Sequence, residues 1–196
     1  MEVFSAHLRS LLVGYGMQEA MTFMLTNREK LFGRMNMNEV PVAETENAKT
    51  SEYNTLRNWL LPSLIEVLTK NKHNEYPQKI FEVNDVFEID ENQDSGAKTM
   101  RRLAIVISHA KANFSEMKSL FESVLHNFGI TEYKVEESKC PCYISGRAAK
   151  FTVNDKAIAR FGEMDPKVLE KWGLEMPVAG GEICVDSVIN LVEKKD

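Results

Sequence analysis

Cysteine is scarce in this chain. Three occur in 196 residues, at Cys140, Cys142 and Cys184. An odd, low count does not build a disulfide scaffold and predicts a reducing, cytoplasmic compartment. Long apolar runs are lacking as well. Ala104 to Ile107 is a short buried-strand run, far below the roughly 18 residues of a membrane span, so no membrane partner is expected. The opening MEVFSAHLRS has neither the basic start nor the apolar stretch of a signal peptide. Positive charge is not in excess: 24 Lys and Arg face 29 Asp and Glu, a formal charge of −5. That balance weighs against a free-standing nucleic-acid binder. Gly-x-x-x-x-Gly-Lys-Ser/Thr, Gly-x-Ser-x-Gly and His-Glu-x-x-His are all missing, which removes the phosphate loop, the nucleophile elbow and the zinc-protease helix. Repeats, low-complexity tracts and Pro/Gly/Ser-rich linkers are missing too, so residues 1–196 read as one domain.

What is present supports a packed core. Hydrophobic residues make 43% and charged residues 27%, outside the disordered range. Helical spacing runs over Glu2 to Val13 and stops at Gly14 and Gly16. A strand is expected over Met17 to Thr26 and a short helix capped by Asn27 to Met35. Glu39 to Glu46 alternates like a strand. The strongest early helix spans Leu56 to Asn71, with Pro62 in its first turn. Ile80 to Ile89 is a strand with Phe81, Val83, Phe87 and Ile89 on one face. Glu82, Asn84, Val86 and Glu88 share the other. Arg102 to Ser108 is a buried strand. Asn113 and Glu116 open a helix that Gly129 ends. Strands follow at Tyr133 to Glu136, Ala149 to Val153 and Ala157 to Gly162, the last two joined by an Asn154-Asp155 turn. Asp165-Pro166 starts a short helix, and Val178 to Val185 is the last strand. Hairpin-joined strands mixed with helices give an α+β fold with a mainly antiparallel sheet flanked by helices.

Local chemistry is thin. Gly14-Tyr15-Gly16 follows a helix rather than a strand and reads as a helix stop. Cys140-Pro-Cys142 has the residues for zinc or a redox switch, but not the Cys-x-x-Cys spacing or a second pair, so loop cysteines without a role are the plainer reading. Ser108-His109 has the residue types of a catalytic pair, with a strand-end His as the plainer reading. Asp90-x-Asn92-x-Asp94 has Ser95 and Arg101 where a calcium loop needs Gly and Glu, which leaves a solvated turn. Lys70, Lys72, His73, Tyr76 and Lys79 form a basic patch suited to RNA phosphate or an acidic partner, with a solvated loop as the plainer alternative.

Longer blocks carry a resemblance. They are GMQEAMTFMLTNREKLF (Gly16 to Phe32), NTLRNWLLPSLIEVLTKNKHNEYPQKIFEVNDVFEI (Asn54 to Ile89) and NFSEMKSLFESVL (Asn113 to Leu125). PCYISGRAAKF (Pro141 to Phe151) and FGEMDPKVLEKWGLEMPVA (Phe161 to Ala179) follow in order. Together they resemble the β subunit of phenylalanyl-tRNA synthetase, archaeal and eukaryotic type. The resemblance implies the catalytic-like C-terminal module of that subunit, with a class II aminoacyl-tRNA synthetase-like antiparallel sheet. It implies an excised part of a longer β subunit in an (αβ)₂ heterotetramer. The module supports the catalytic α subunit, and tRNA(Phe) is reached through the holoenzyme. ATP and magnesium belong to the holoenzyme, and no cofactor is expected in this domain.

The residues bear on the absence of catalysis. A class II site needs an Arg on its second-motif strand and another after its third-motif glycines, to clamp the polyphosphate. Where the first would fall the chain has Glu88. After Gly180-Gly181 there is no Arg at all. No catalytic, substrate-binding or metal residue is therefore assigned. Asn84 stands where the family usually has Gly, at an expected turn or bulge. By analogy with the first-motif helix, the partner interface is expected at Arg57, Leu61, Pro62, Asn71, His73, Tyr76 and Pro77. Packing inside the domain is the alternative for Leu61 and Pro62. Arg147 serves either a partner or a local carboxylate. The isolated fragment is expected to form a homodimer through the Leu61 to His73 helix. The alternative to the scaffold reading is a stand-alone binding or regulatory module of the same fold.

Overall fold

The computed structural model describes residues 1–48 and 50–193. Its frame is a seven-stranded sheet. The strands are β1 (Gln18–Glu19), β4 (Gln78–Ile89), β5 (Ala97–Ser108), β6 (Lys134–Glu137), β7 (Tyr143–Val153), β8 (Lys156–Met164) and β9 (Val178–Cys184). Their order is β1-β4-β5-β9-β8-β7-β6. Every pairing is antiparallel except the short β1–β4 edge. A separate two-stranded ribbon joins β2 (Leu25–Thr26) to β3 (Thr55–Leu56).

Helices cover both faces. On one side lie α1 (Glu2–Gly14), α4 (Phe114–Asn127) and α6 (Val185–Glu193). Leu8, Leu12, Met117, Phe121 and Val188 pack there against Phe81, Leu103, Ile105, Phe151, Phe161 and Ile183. On the other side lie α3 (Leu61–Lys70) and α5 (Pro166–Trp172), with Leu64, Ile65, Leu68, Val168 and Trp172 against Ile80, Val86, Val106 and Val178. The short helix α2 (Arg28–Leu31) starts at Asn27, whose side chain accepts from the Lys30 N–H. Asn154 and Asp155 take positive φ values of 50° and 60° and close the β7–β8 hairpin as expected.

Four expectations change. Met17 to Thr26 does not run as one strand. It pairs at β1 and again at β2, because Thr22 between them gives its N–H and O–H to Glu82 rather than to a ladder. The strong helix starts at Leu61, not Leu56, since the Leu56 and Arg57 N–H groups donate to Ala43 and Met24 carbonyls. Glu39 to Glu46 forms only a bridge, Glu44 to Thr55. Asn84 sits in the regular β4–β5 ladder opposite Arg102 and is not among the positive-φ residues. Its side chain instead accepts from Asp85 N and donates to Glu82.

Close approach explains the glycine pair of β9. A Cβ on Gly181 would lie 2.4 Å from the Arg160 carbonyl oxygen, and one on Gly180 would lie 3.0 Å from Leu61 Cδ1. Glycine lets β9 sit against β8 and under α3.

Candidate functional site

Register places a row of charge across the α3 face of the sheet. Glu82 pairs with Ala104, Ala104 with Glu182, Glu182 with Arg160, and Arg160 with Lys150. Side chains on paired positions point to one face. Above part of this row a cavity of about 400 Å³ opens, walled by Phe32, Trp59 and Tyr143 and lined with Glu88, Arg102, Arg160 and Glu182. Two cations thus face two carboxylates.

The charges are largely engaged with one another or with backbone. Arg102 pairs with Glu88 at 3.0 Å, and both line the cavity. The Arg102 Nε and the Asn58 Oδ1, both buried, have no partner. Glu182 accepts the Leu60 and Leu61 N–H groups at 2.5 and 2.6 Å. These N–H groups open α3, where free donors and the helix dipole favour an anion. The chain's own carboxylate fills that position. Burial pushes the Glu182 carboxyl up, and Arg102 with the two N–H donors opposes it. Arg160 is exposed, and its side chain makes no hydrogen bond or ion pair among the described residues.

The charged residues of the lining balance, two cations against two carboxylates. Clamping a polyphosphate needs cations in excess, and the α3 donors are already taken. The described residues also hold no group of three or more His, Cys, Asp and Glu that could bind a metal ion.

Beside the cavity, Arg57 is fully buried and pairs with Glu82 at 3.2 Å, itself 1% exposed. Arg57 also donates to the Asp85 carbonyl, the Thr22 hydroxyl and the Phe23 carbonyl. Burial pulls the guanidinium down from its usual range, against the pull of Glu82. The pair ties segment 22–24 to β4. The first half of the supposed polar face of β4 is therefore interior.

The interface candidates separate. Arg57, Leu61 and Pro62 are buried in the domain's own packing, the alternative expected for Leu61 and Pro62. Asn71 caps α3, and its carbonyl accepts from Gln78. His73 and Pro77 are exposed and Tyr76 is half-buried. Arg147 finds a local carboxylate, Glu163, at 2.8 Å. In the basic patch Lys70 pairs with Glu66, Lys79 with Glu116, and Lys72 donates to the Gly173 carbonyl. His109 pairs with Glu116 rather than Ser108, whose hydroxyl donates to the Pro177 carbonyl. Met21 and Phe23 are 85% and 78% exposed, and Phe23 meets the Tyr53 ring edge-on at 6.0 Å.

Sequence reasoning missed Arg102, Arg160 and Glu182. Glu182 is the one charge in β9, and that interruption of an apolar strand is the signal available for it.

A hairpin of long strands, a third strand running into a helix and a cavity on the sheet define the class II aminoacyl-tRNA synthetase fold. Pyrrolysyl-tRNA synthetase from Desulfitobacterium hafniense superposes with a TM-score of 0.78, over 97% of this chain and 68% of that one, at 17% identity. That likeness is one of fold. Relatives narrow it. The β subunit of phenylalanine–tRNA ligase from Thermococcus gammatolerans is 44% identical over 92% of this chain, and that from Methanocella arvoryzae 38% over 90%. The chain spans about a third of the length of these curated relatives. Residues 2–185 match the family model described as the phenylalanyl tRNA synthetase beta chain CLM domain. The chain belongs to that family.

Proposed function

We propose that this chain is a non-catalytic module of the phenylalanine–tRNA ligase β subunit, supporting a catalytic α subunit in tRNA(Phe) aminoacylation. The carrying observation is the Arg102–Glu88 pair at the cavity. A carboxylate stands where phosphate-clamping chemistry requires a cation. ATP and magnesium then act in the α subunit, and this domain needs no cofactor of its own. The module occupies residues 1–196 as one domain of a longer chain that works in the cytoplasm.

The partner surface in this reading runs over Asn71, His73, Tyr76 and Pro77 at the exposed end of α3. Met21 and Phe23 offer apolar surface of the kind that partners cover. In the absence of α, the isolated fragment pairs with itself through the same helix.

Co-purification tests the proposal. Full-length β chain and its cognate α chain are expressed together, with wild type compared against His73→Glu plus Tyr76→Ala. Retention of α by wild type and its loss at least tenfold in the variant supports the reading. Failure of wild type to hold α overturns it. Light scattering of the isolated fragment checks self-association, which a strict monomer at high concentration excludes.

A further inference from the structure

The cavity wall carries one thiol, Cys140, with the buried Cys142 next to it, and the charge arrangement uses neither. Cys140, Pro141, Cys142 and Tyr143 form a turn closed by the Tyr143 N–H on the Cys140 carbonyl at 3.1 Å. Proline presets the second position of such a turn. The turn brings the Cys140 and Cys142 sulfurs within 2.7 Å of each other. A disulfide needs about 2.05 Å, so bond formation asks for a small side-chain movement. All three cysteines are free thiols.

The two thiols differ in access. Cys140 is half-buried and lines the cavity, while Cys142 is fully buried behind it. A small reagent in the cavity meets Cys140 first. We propose that Cys140 and Cys142 are a modification site, a dithiol that a small hydroperoxide oxidises to a disulfide within the turn.

The Cys140 thiolate is the attacking form. The Cys142 thiol donating to it, with Arg160 nearby, brings Cys140 down to about 7 despite its burial. Burial pushes the Cys142 thiol up and keeps its proton on. Cys140 sulfur attacks one peroxide oxygen, the O–O bond breaks, and the other oxygen leaves with the electron pair and takes a proton from water. Cys140 is then a sulfenic acid. Cys142 sulfur attacks the Cys140 sulfur, and its proton leaves with the hydroxyl as water. Two thiols have lost two hydrogens, and the hydroperoxide has become an alcohol and water. The inference does not depend on the pairing with α.

Cys184 is an internal control. It is buried, accepts from the Ser187 hydroxyl at 3.1 Å and does not line the cavity. The experiment treats the reduced full-length protein with stoichiometric hydrogen peroxide, then alkylates, digests and weighs the peptides. The expected result is a peptide carrying residues 140 and 142 that has lost two hydrogens and takes no alkyl group. Dithiothreitol restores both thiols, and Cys184 is alkylated after denaturation in every sample. In Cys142→Ser the reaction stops at a Cys140 sulfenic acid that dimedone traps. The proposal is overturned if both thiols remain alkylatable after peroxide, if Cys184 is oxidised as fast, or if wild type passes directly to sulfinic acid. Should Cys142→Ser fail to fold, the wild-type mass shift decides alone.

Discussion

The two faces of the sheet come from the same strands and are packed by different rules. Under α1, α4 and α6 the interior is rings and aliphatics, with Phe161 4.8 and 5.0 Å from Phe151 and Phe121. Under α3 and α5 the interior contains Arg57 and Glu82, the charged residues among the buried set. Glu182 caps a helix there, and a cavity remains open. The first face holds the fold together by burial. The second keeps a cavity in which Arg102 pairs with Glu88, Glu182 holds the backbone of α3, and Arg160 stays exposed. One set of strands thus carries an apolar core on one face and a charged, open cavity on the other.

The sharpest way to break the comparison is to open each face in turn. Phe161→Ala removes a fully buried ring and is expected to cost about 4 kcal/mol, read by urea unfolding. Glu82→Ala leaves Arg57 buried without its carboxylate and costs about 3 kcal/mol. The double change Arg57→Met with Glu82→Leu recovers much of that loss, because replacing both charges removes the desolvation penalty. If the double change is as damaging as the single one, the pair does more than tie segment 22–24 to β4.

Glu182 sharpens the contrast. Glu182→Leu strands the Leu60 and Leu61 N–H groups and costs about 1 to 3 kcal/mol. Glu182→Gln keeps an acceptor oxygen and removes a buried charge, so its stability at neutral pH stays within about 1 kcal/mol of wild type. The pH dependence has two signs. Glu182 has a raised folded-state pKa, so protonation favours the folded state as pH falls through that value. Glu66 is held below its ordinary value, burial opposing but Lys70 and Lys30 prevailing. Its contribution is present at neutral pH and is lost as pH falls through its folded-state pKa. Urea midpoints over this range should fall less steeply in Lys30→Met, which weakens the hold on Glu66. The smallest effect belongs to Arg147→Ala. Its side chain is 60% exposed, and the loss should stay under about 1 kcal/mol.

Much of this was legible from spacing. The α4 cap at Asn113, the Asn154-Asp155 hairpin and the alternation that brings Glu88 to the cavity rest on local rules. The capping box is only half made. Asn113 accepts the Glu116 N–H, but the Glu116 carboxylate turns to Lys79 and His109. What was not legible depends on register. Glu82, Glu182 and Arg160 lie a hundred residues apart in sequence at the extremes and meet only through three strand pairings. The burial of Arg57 was hidden for the same reason, since its partners come from β4 and segment 22–24. A charged residue was taken for surface where the tertiary fold supplied a buried acceptor.

Phenylalanine-dependent ATP–pyrophosphate exchange tests the central claim most directly, measured on the full-length β chain alone, the α chain alone and the two together. The account predicts no exchange from the β chain alone and exchange when α is present. Exchange by the β chain without α would mean that the cavity under α3 activates an amino acid, and would contradict the account.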